Sequence, residues 1–123
     1  MMSNKIDPDE ILYRSVNPFN WYVEEGRVKS SLFKNANGVS VDRDGKRPEE
    51  FIVNTFKERF GKENVKAVVH VYAQDCYDLP AKCIYKPEET NIYHSEIHDI
   101  DRVELTSSKA RRLANKCIVI KCA

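Results

Sequence analysis

Apolar and polar positions alternate with a period of two along most of this chain, and the places where the period changes mark its helices. "ILYRSV", Ile11 to Val16, is a β-branched and aromatic run closed by the turn signal "NPFN", and it predicts a strand. "GVSVD" sets Val39 and Val41 against Ser40 and Asp42, the pattern of a half-buried strand bounded by Gly38 and "DRDGKRP". "AVVHVYA", within "VKAVVHVYAQDCYDL", is apolar on both faces and predicts a central strand. "AKCIYK", "NIYHSEIHDI" and the closing "CIVIKC" predict three more strands, and a short extended piece is expected around Tyr22 and Val23.

Two segments break this rhythm. In "PEEFIVNTFKERFG", Pro48 suits a first helical position, Glu49 and Glu50 suit the positive end of the dipole, and Gly61 supplies a stop. Phe51, Ile52, Thr55, Phe56 and Phe60 form its apolar stripe, so this helix is expected to be core and not site. "TSSKARRLANKC" predicts a second helix, capped by Thr106 or Ser107 and burying Ala110, Leu113, Ala114 and Cys117. Strands outnumber helices without regular β-α alternation, which predicts an α+β fold with a mixed or mainly antiparallel sheet of about five or six strands covered by two helices. The 123 residues are expected to form one domain, with residues 1–10 as a loose polar arm.

Composition narrows the partners. Twenty basic residues nearly balance 19 acidic ones, so no global field drives the chain onto nucleic acid or lipid. The apolar runs are far shorter than the ~20 residues of a membrane helix, and "MMSNKIDPDE" has no apolar leader, which predicts a cytoplasmic protein without membrane contact. Cys76, Cys83, Cys117 and Cys122 have no zinc or redox spacing and are expected to be reduced and largely buried. The basic stretch containing Lys109, Arg111, Arg112 and Lys116 is either a solvated helix face or a nucleic-acid contact.

Candidate chemistry is concentrated in "YHSEIHDI". On a strand, Tyr93, Ser95 and Ile97 face one way while His94, Glu96 and His98 face the other. His94 and His98 then lie about 13 Å apart, too far to close on one metal with Glu96, so no metal site is predicted. A carboxylate beside an imidazole can serve acid–base or binding chemistry, or it can be a solvent-facing row of charge pairs. His70, inside "AVVHVYA", is either a satisfied core residue or a completing group if its strand lies beside the His94 strand. Arg14, on an otherwise apolar strand, needs a carboxylate such as Glu96 or an anionic ligand. In "GRVKSSLF", Arg27, Lys29, Ser30 and Ser31 follow a flexible Gly26 and could cradle an anion.

"LYRSV", "GRVKSSLFK", "GVSVDR" and "YHSEIHDI", spanning Leu12 to Ile100, resemble a set of small, mostly uncharacterised bacterial proteins. Their shared pattern has an arginine-bearing first strand, a G-R-x-x-S-x-x-F segment, an S-V-D strand and a late His-x-Glu-Ile segment; Ser95 stands where alanine is usual. The order of these groups is also similar to ADP-ribosyltransferase-like folds, including RES-type toxins that consume NAD. That resemblance implies NAD as the cofactor consumed, and with His94 added from the reading of β-alternation the candidate catalytic set is Glu96, His94 and Arg14. Arg14 would hold a phosphate, Ser30 or Ser31 would support the site, and Glu96 would polarise a ribose hydroxyl. Two further readings stand beside it: an antitoxin, immunity or regulatory module that binds a protein partner, and a nucleic-acid contact through the 109–116 helix.

Overall fold

A computed structural model describes residues 2–122, the side chains of Lys121 and Cys122 excepted, so expectations for the Cys122 side chain lie outside the described residues. Among the described residues, eight strands and three α-helices follow one another along the chain. They are β1 (Ile11–Val16), β2 (Trp21–Tyr22), β3 (Arg27–Val28), β4 (Val39–Arg43), α1 (Glu49–Phe60), β5 (Ala67–Tyr72), α2 (Ala73–Tyr77), β6 (Ala81–Tyr85), β7 (His94–Asp99), α3 (Ser107–Lys116) and β8 (Ile118–Cys122). Six strands form one sheet in the order β6-β7-β4-β1-β5-β8, and β2 pairs with β3 in a separate hairpin. Every pairing is antiparallel. The fold is α+β, as the alternation predicts.

The two sheet faces differ. On one, Leu12, Val16, Val39, Val41, Val69, Val71 and Ile97 join Leu32, Phe33, Ala73, Cys76, Ala110 and Leu113 in the main core, beneath α2, α3 and the turn Ser30–Phe33. On the other, Ile52, Val53 and Phe56 of α1 pack on Tyr13, Val65 and Val68, with Ile11 and Ile120 at the margin. Helix α1 therefore covers the β1-β5-β8 side of that face. The side chains of β4 and β7 lie beyond it.

Several expectations change. Strand β5 lies between β1 and β8, one strand from the edge, while β1 and β4 are central. "AQDCY" leaves the strand as α2, whose Cys76 is fully buried. Pro48 caps α1 from outside its first turn. The amino-terminal arm is not loose: Ile6 is buried, Tyr77 donates to its carbonyl, and Arg43 donates to the carbonyls of Ser3 and Lys5 and to both carboxylate oxygens of Glu10. One buried guanidinium thus ties the arm to β4. Among the described residues, no helix is long and apolar enough to cross a membrane.

Candidate functional site

Strands β1 and β4 pair only at Leu12–Arg43 and Tyr13–Asp42. Beyond Tyr13 they part, although β1 stays paired with β5 through Val16. Arg14 stands at the opening. Its Nε donates to the Leu32 carbonyl at 3.0 Å, and its Nη1 donates to the Ser40 carbonyl at 2.7 Å. Through Nη1 the guanidinium takes over a β4 carbonyl where pairing with β1 has ended, and through Nε it reaches the turn Ser30–Phe33. Burial pushes its pKa down to about 10, so it stays charged at neutral pH.

A cleft of about 550 Å³ opens there, between the last turns of α1, the ends of β1 and β4, and the 88–91 loop. Arg14 and His94 line it together with Ser40, Asp42, Arg59 and Phe60. Buried Asp42 accepts from Arg59 Nη2 at 3.2 Å and from Asn91 Nδ2 at 2.9 Å, which fixes the floor. Phe56 and Phe60 stack with ring centroids 6.3 Å apart, and the Arg59 guanidinium lies over both rings. Phe60 keeps 47% of its surface exposed.

The alternation in β7 holds. Ser95 and Ile97 are fully buried on the core face, while His94, Glu96 and His98 share the other. His98 Nε2 lies 2.8 Å from Glu96 Oε1, and Lys86 Nζ lies 3.5 Å from the same oxygen. A carboxylate only accepts, so His98 carries its proton on Nε2. Burial opposes the charge on Glu96, but the hydrogen bond from His98 and the neighbouring ammonium outweigh it and hold the carboxyl below its ordinary range. Gly38 makes this packing possible: its φ is +95°, and a Cβ there would stand 2.6 Å from His98 Nε2.

His94 has a defined tautomer. Nδ1 is 2.8 Å from the Lys86 carbonyl, which can only accept, so Nδ1 carries a proton. Nε2 points at Ser40 Oγ, 3.3 Å away, with Glu96 Oε2 at 4.0 Å. Imidazole, hydroxyl and carboxylate thus meet around one ring nitrogen.

The predicted residues are only partly brought together. Arg14 and His94 share the cleft, and Glu96 stands beside His94. Arg14 and Glu96 form no ion pair within 4 Å: β4 lies between their strands, and the two carbonyls that Arg14 holds turn its Nε and Nη1 toward Leu32 and Ser40. Arg27, Ser30 and Ser31 do not line the cleft: Arg27 pairs with Glu25 and covers Tyr22, Ser30 is exposed, and Ser31 Oγ donates to Asn20. Leu32 and Phe33 are buried under α3, and that anchoring turns the serines outward; the segment supports Arg14 through the Leu32 carbonyl instead. His70 does not complete the site, since β1 and β4 separate its strand from β7. Neither of its ring nitrogens has a hydrogen-bond partner among the described residues, so it is not the satisfied core residue the sequence suggests.

The expectation that α1 is core alone is also corrected. Thr55, Phe56, Glu58, Arg59 and Phe60 line the cleft, and Phe51 and Phe60 are exposed. Ser40, Asp42, Arg59 and Asn91 are the residues that sequence reasoning missed. The alternation in "GVSVD" already put Ser40 and Asp42 on one face, but nothing in it pointed to His94. On α3, Lys109 donates to Asp99 and the Pro80 carbonyl, and Arg112 donates to the Leu79 carbonyl, so these two cations are committed within the fold. Among the described residues no group of three or more His, Cys, Asp or Glu side chains could hold a metal ion.

Comparison with protein-family models, with curated proteins and with solved structures gives no match in any of the three.

Proposed function

We propose that the cleft binds and processes a nucleotide-type ligand, with Arg14 facing its anionic group and His94 acting as the acid–base group. The observation that carries this reading is the missing counter-charge at Arg14. Three arginines are buried or half-buried: Arg14, Arg43 and Arg47. Arg43 and Arg47 each have a carboxylate within 4 Å, from Glu10 and Asp42. Among the described residues Arg14 has none. Its two carbonyl partners supply dipoles and no opposite charge, and a desolvated cation without one is costly. A phosphate entering the cleft supplies that charge in a geometry suited to a guanidinium.

The remaining lining fits a nucleotide better than a bare polyanion. Phe60 offers an exposed ring face for stacking. Asp42, Glu58 and Glu88 offer acceptors for hydroxyl and amino groups while disfavouring dense negative charge. The volume lies within the ordinary range of small-molecule sites. The narrower form of this reading is an NAD-consuming, ADP-ribosyltransferase-like activity of toxin type. There Arg14 takes a phosphate, and Glu96, kept ionised by His98 and Lys86, polarises a ribose hydroxyl.

A second reading, a non-catalytic module that binds a protein partner, is favoured by a different surface. Phe19 and Val23 are 84% and 78% exposed beside the β2–β3 hairpin, next to Tyr22.

A thermal-shift screen against NAD, ADP-ribose, AMP and inorganic phosphate separates the two. A ligand at a hundred times its dissociation constant stabilises by ~2.7 kcal/mol. Shifts that disappear in Arg14→Ala support the cleft reading. A flat screen, with a protein partner whose capture requires Phe19 and Val23, supports the module.

A further inference from the structure

We propose that Ser40 is a nucleophile activated by His94, and that the centre it attacks is phosphorus. This rests on the nucleotide reading of the cleft and goes beyond it by naming the bond that forms. Four observations converge on Ser40. Its side chain is exposed and lines the cleft. Its Oγ lies 3.3 Å from His94 Nε2. The Lys86 carbonyl holds the proton of that ring on Nδ1, which leaves the Nε2 lone pair directed at the hydroxyl. Its own carbonyl anchors the Arg14 guanidinium, so the nucleophile and the cation share one residue of β4.

The parts have the roles that an activated hydroxyl requires: a nucleophile, a base within reach, and a group that orients the base. Here a backbone carbonyl orients the base, in place of the more familiar carboxylate. Glu96 Oε2, 4.0 Å from Nε2, faces the positive charge that appears on the ring once it accepts the proton. Glu96 is therefore a positioning residue. Phosphorus is favoured over a carbonyl carbon because the cations in the cleft are the side-chain guanidiniums of Arg14 and Arg59, which suit the spread charge of phosphoryl oxygens.

The step balances. Ser40 Oγ forms a bond to phosphorus, and its proton passes to His94 Nε2. The bond from phosphorus to the bridging oxygen breaks with its electron pair, and that oxygen takes the proton from His94. Water, giving a proton to His94, then attacks the phosphoseryl group, and Ser40 leaves with that proton restored.

The test uses a fluorophosphonate, with which the same attack releases fluoride and leaves a stable adduct readable by intact-mass spectrometry. Wild-type protein is expected to take up one adduct at Ser40, none in Ser40→Ala, and to label about a hundredfold more slowly in His94→Gln. Glu96→Gln is expected to slow labelling less than His94→Gln does, and thermal melts of each variant show whether it is folded. Turnover of bis(p-nitrophenyl) phosphate is expected to exceed that of p-nitrophenyl acetate; the reverse order overturns the assignment to phosphorus. Labelling that persists in folded Ser40→Ala, or that is indifferent to His94→Gln, overturns the nucleophile. Wild-type protein that is stabilised by nucleotide yet takes up no adduct overturns this inference alone, whereas protein that shows neither overturns the cleft reading as well.

Discussion

Arg14 and Ser40 are joined by a 2.7 Å hydrogen bond from the guanidinium to the backbone carbonyl, at the point where their two strands stop pairing. The same side chain reaches across to the Leu32 carbonyl. A gap in the sheet is thereby closed by a cation rather than by another strand's amides, and the cleft forms above it. Arg14→Ala leaves both carbonyls without this donor and should lower the unfolding free energy by about 2–4 kcal/mol, read from urea denaturation. Arg14→Lys keeps the charge but not the planar fork, and its loss should fall between those of wild type and Arg14→Ala.

Gly38 sets the other wall of the β7 row. A Cβ there would stand 2.6 Å from His98 Nε2 and 3.1 Å from Glu96 Oε1, on a backbone with φ +95°. Gly38→Ala should cost about 1–3 kcal/mol in the same assay, since both the backbone and the imidazole must shift. It should also shift the NMR ring signals of His98, whose contact with Glu96 is displaced.

Acid should destabilise the fold through two carboxylates. Lys109 holds Asp99 below its ordinary range, against the opposing effect of burial and with help from the amides of Ile100 and Thr106. Glu96 is also lowered: burial opposes this, and His98 and Lys86 outweigh it. A folded-state pKa below the unfolded value adds stability above the unfolded pKa and loses it as pH falls through the folded one. Urea midpoints should therefore drop from the ordinary carboxylate range downward. Asp99→Asn and Glu96→Gln should each flatten that drop, at a cost in stability near neutral pH.

The docked amino-terminal arm makes a separate prediction. Arg43 is 4% exposed in its side chain and binds Glu10 through two oxygens as well as the carbonyls of Ser3 and Lys5. Arg43→Ala strands Glu10 and frees the arm, and should cost about 3–5 kcal/mol. Limited proteolysis should then cut before Ile11, where wild-type protein is protected.

The six strands of the main sheet and the two long helices were legible because each keeps one period for long enough to be read, whereas the two-residue strands β2 and β3 keep none. In β7 that period also set His94, Glu96 and His98 on one face. Helix α1 shows where the reading stopped. At about 100° per residue, Phe51 lies far around the helix from Phe56, so it never belonged to the buried stripe of Ile52, Val53 and Phe56. Phe60 is in phase with that stripe but sits at the helix end, where its ring lines the cleft. The five residues of α2 are too few to show a helical period and read as a continuation of β5. Ser40, Asp42 and Arg59 could not be joined to His94 from the letters, because strand order alone brings "GVSVD" against "YHSEIHDI". Arg14 was singled out as an arginine in need of a carboxylate or an anion, and the partners it has are the Leu32 and Ser40 carbonyls. Its use of carbonyls depends on where β1 and β4 diverge, and no local pattern encodes that.

The central claim is that the uncompensated guanidinium of Arg14 receives an anionic ligand group. Titration of ADP-ribose into nitrogen-15-labelled protein, followed at the Arg14 Nε–Hε resonance, tests it most directly. The account predicts a saturable shift of that resonance, accompanied by the ring signals of His94 and Phe60. Saturating ligand that leaves Arg14 unmoved, or that perturbs only residues of the 19–28 hairpin, would contradict it.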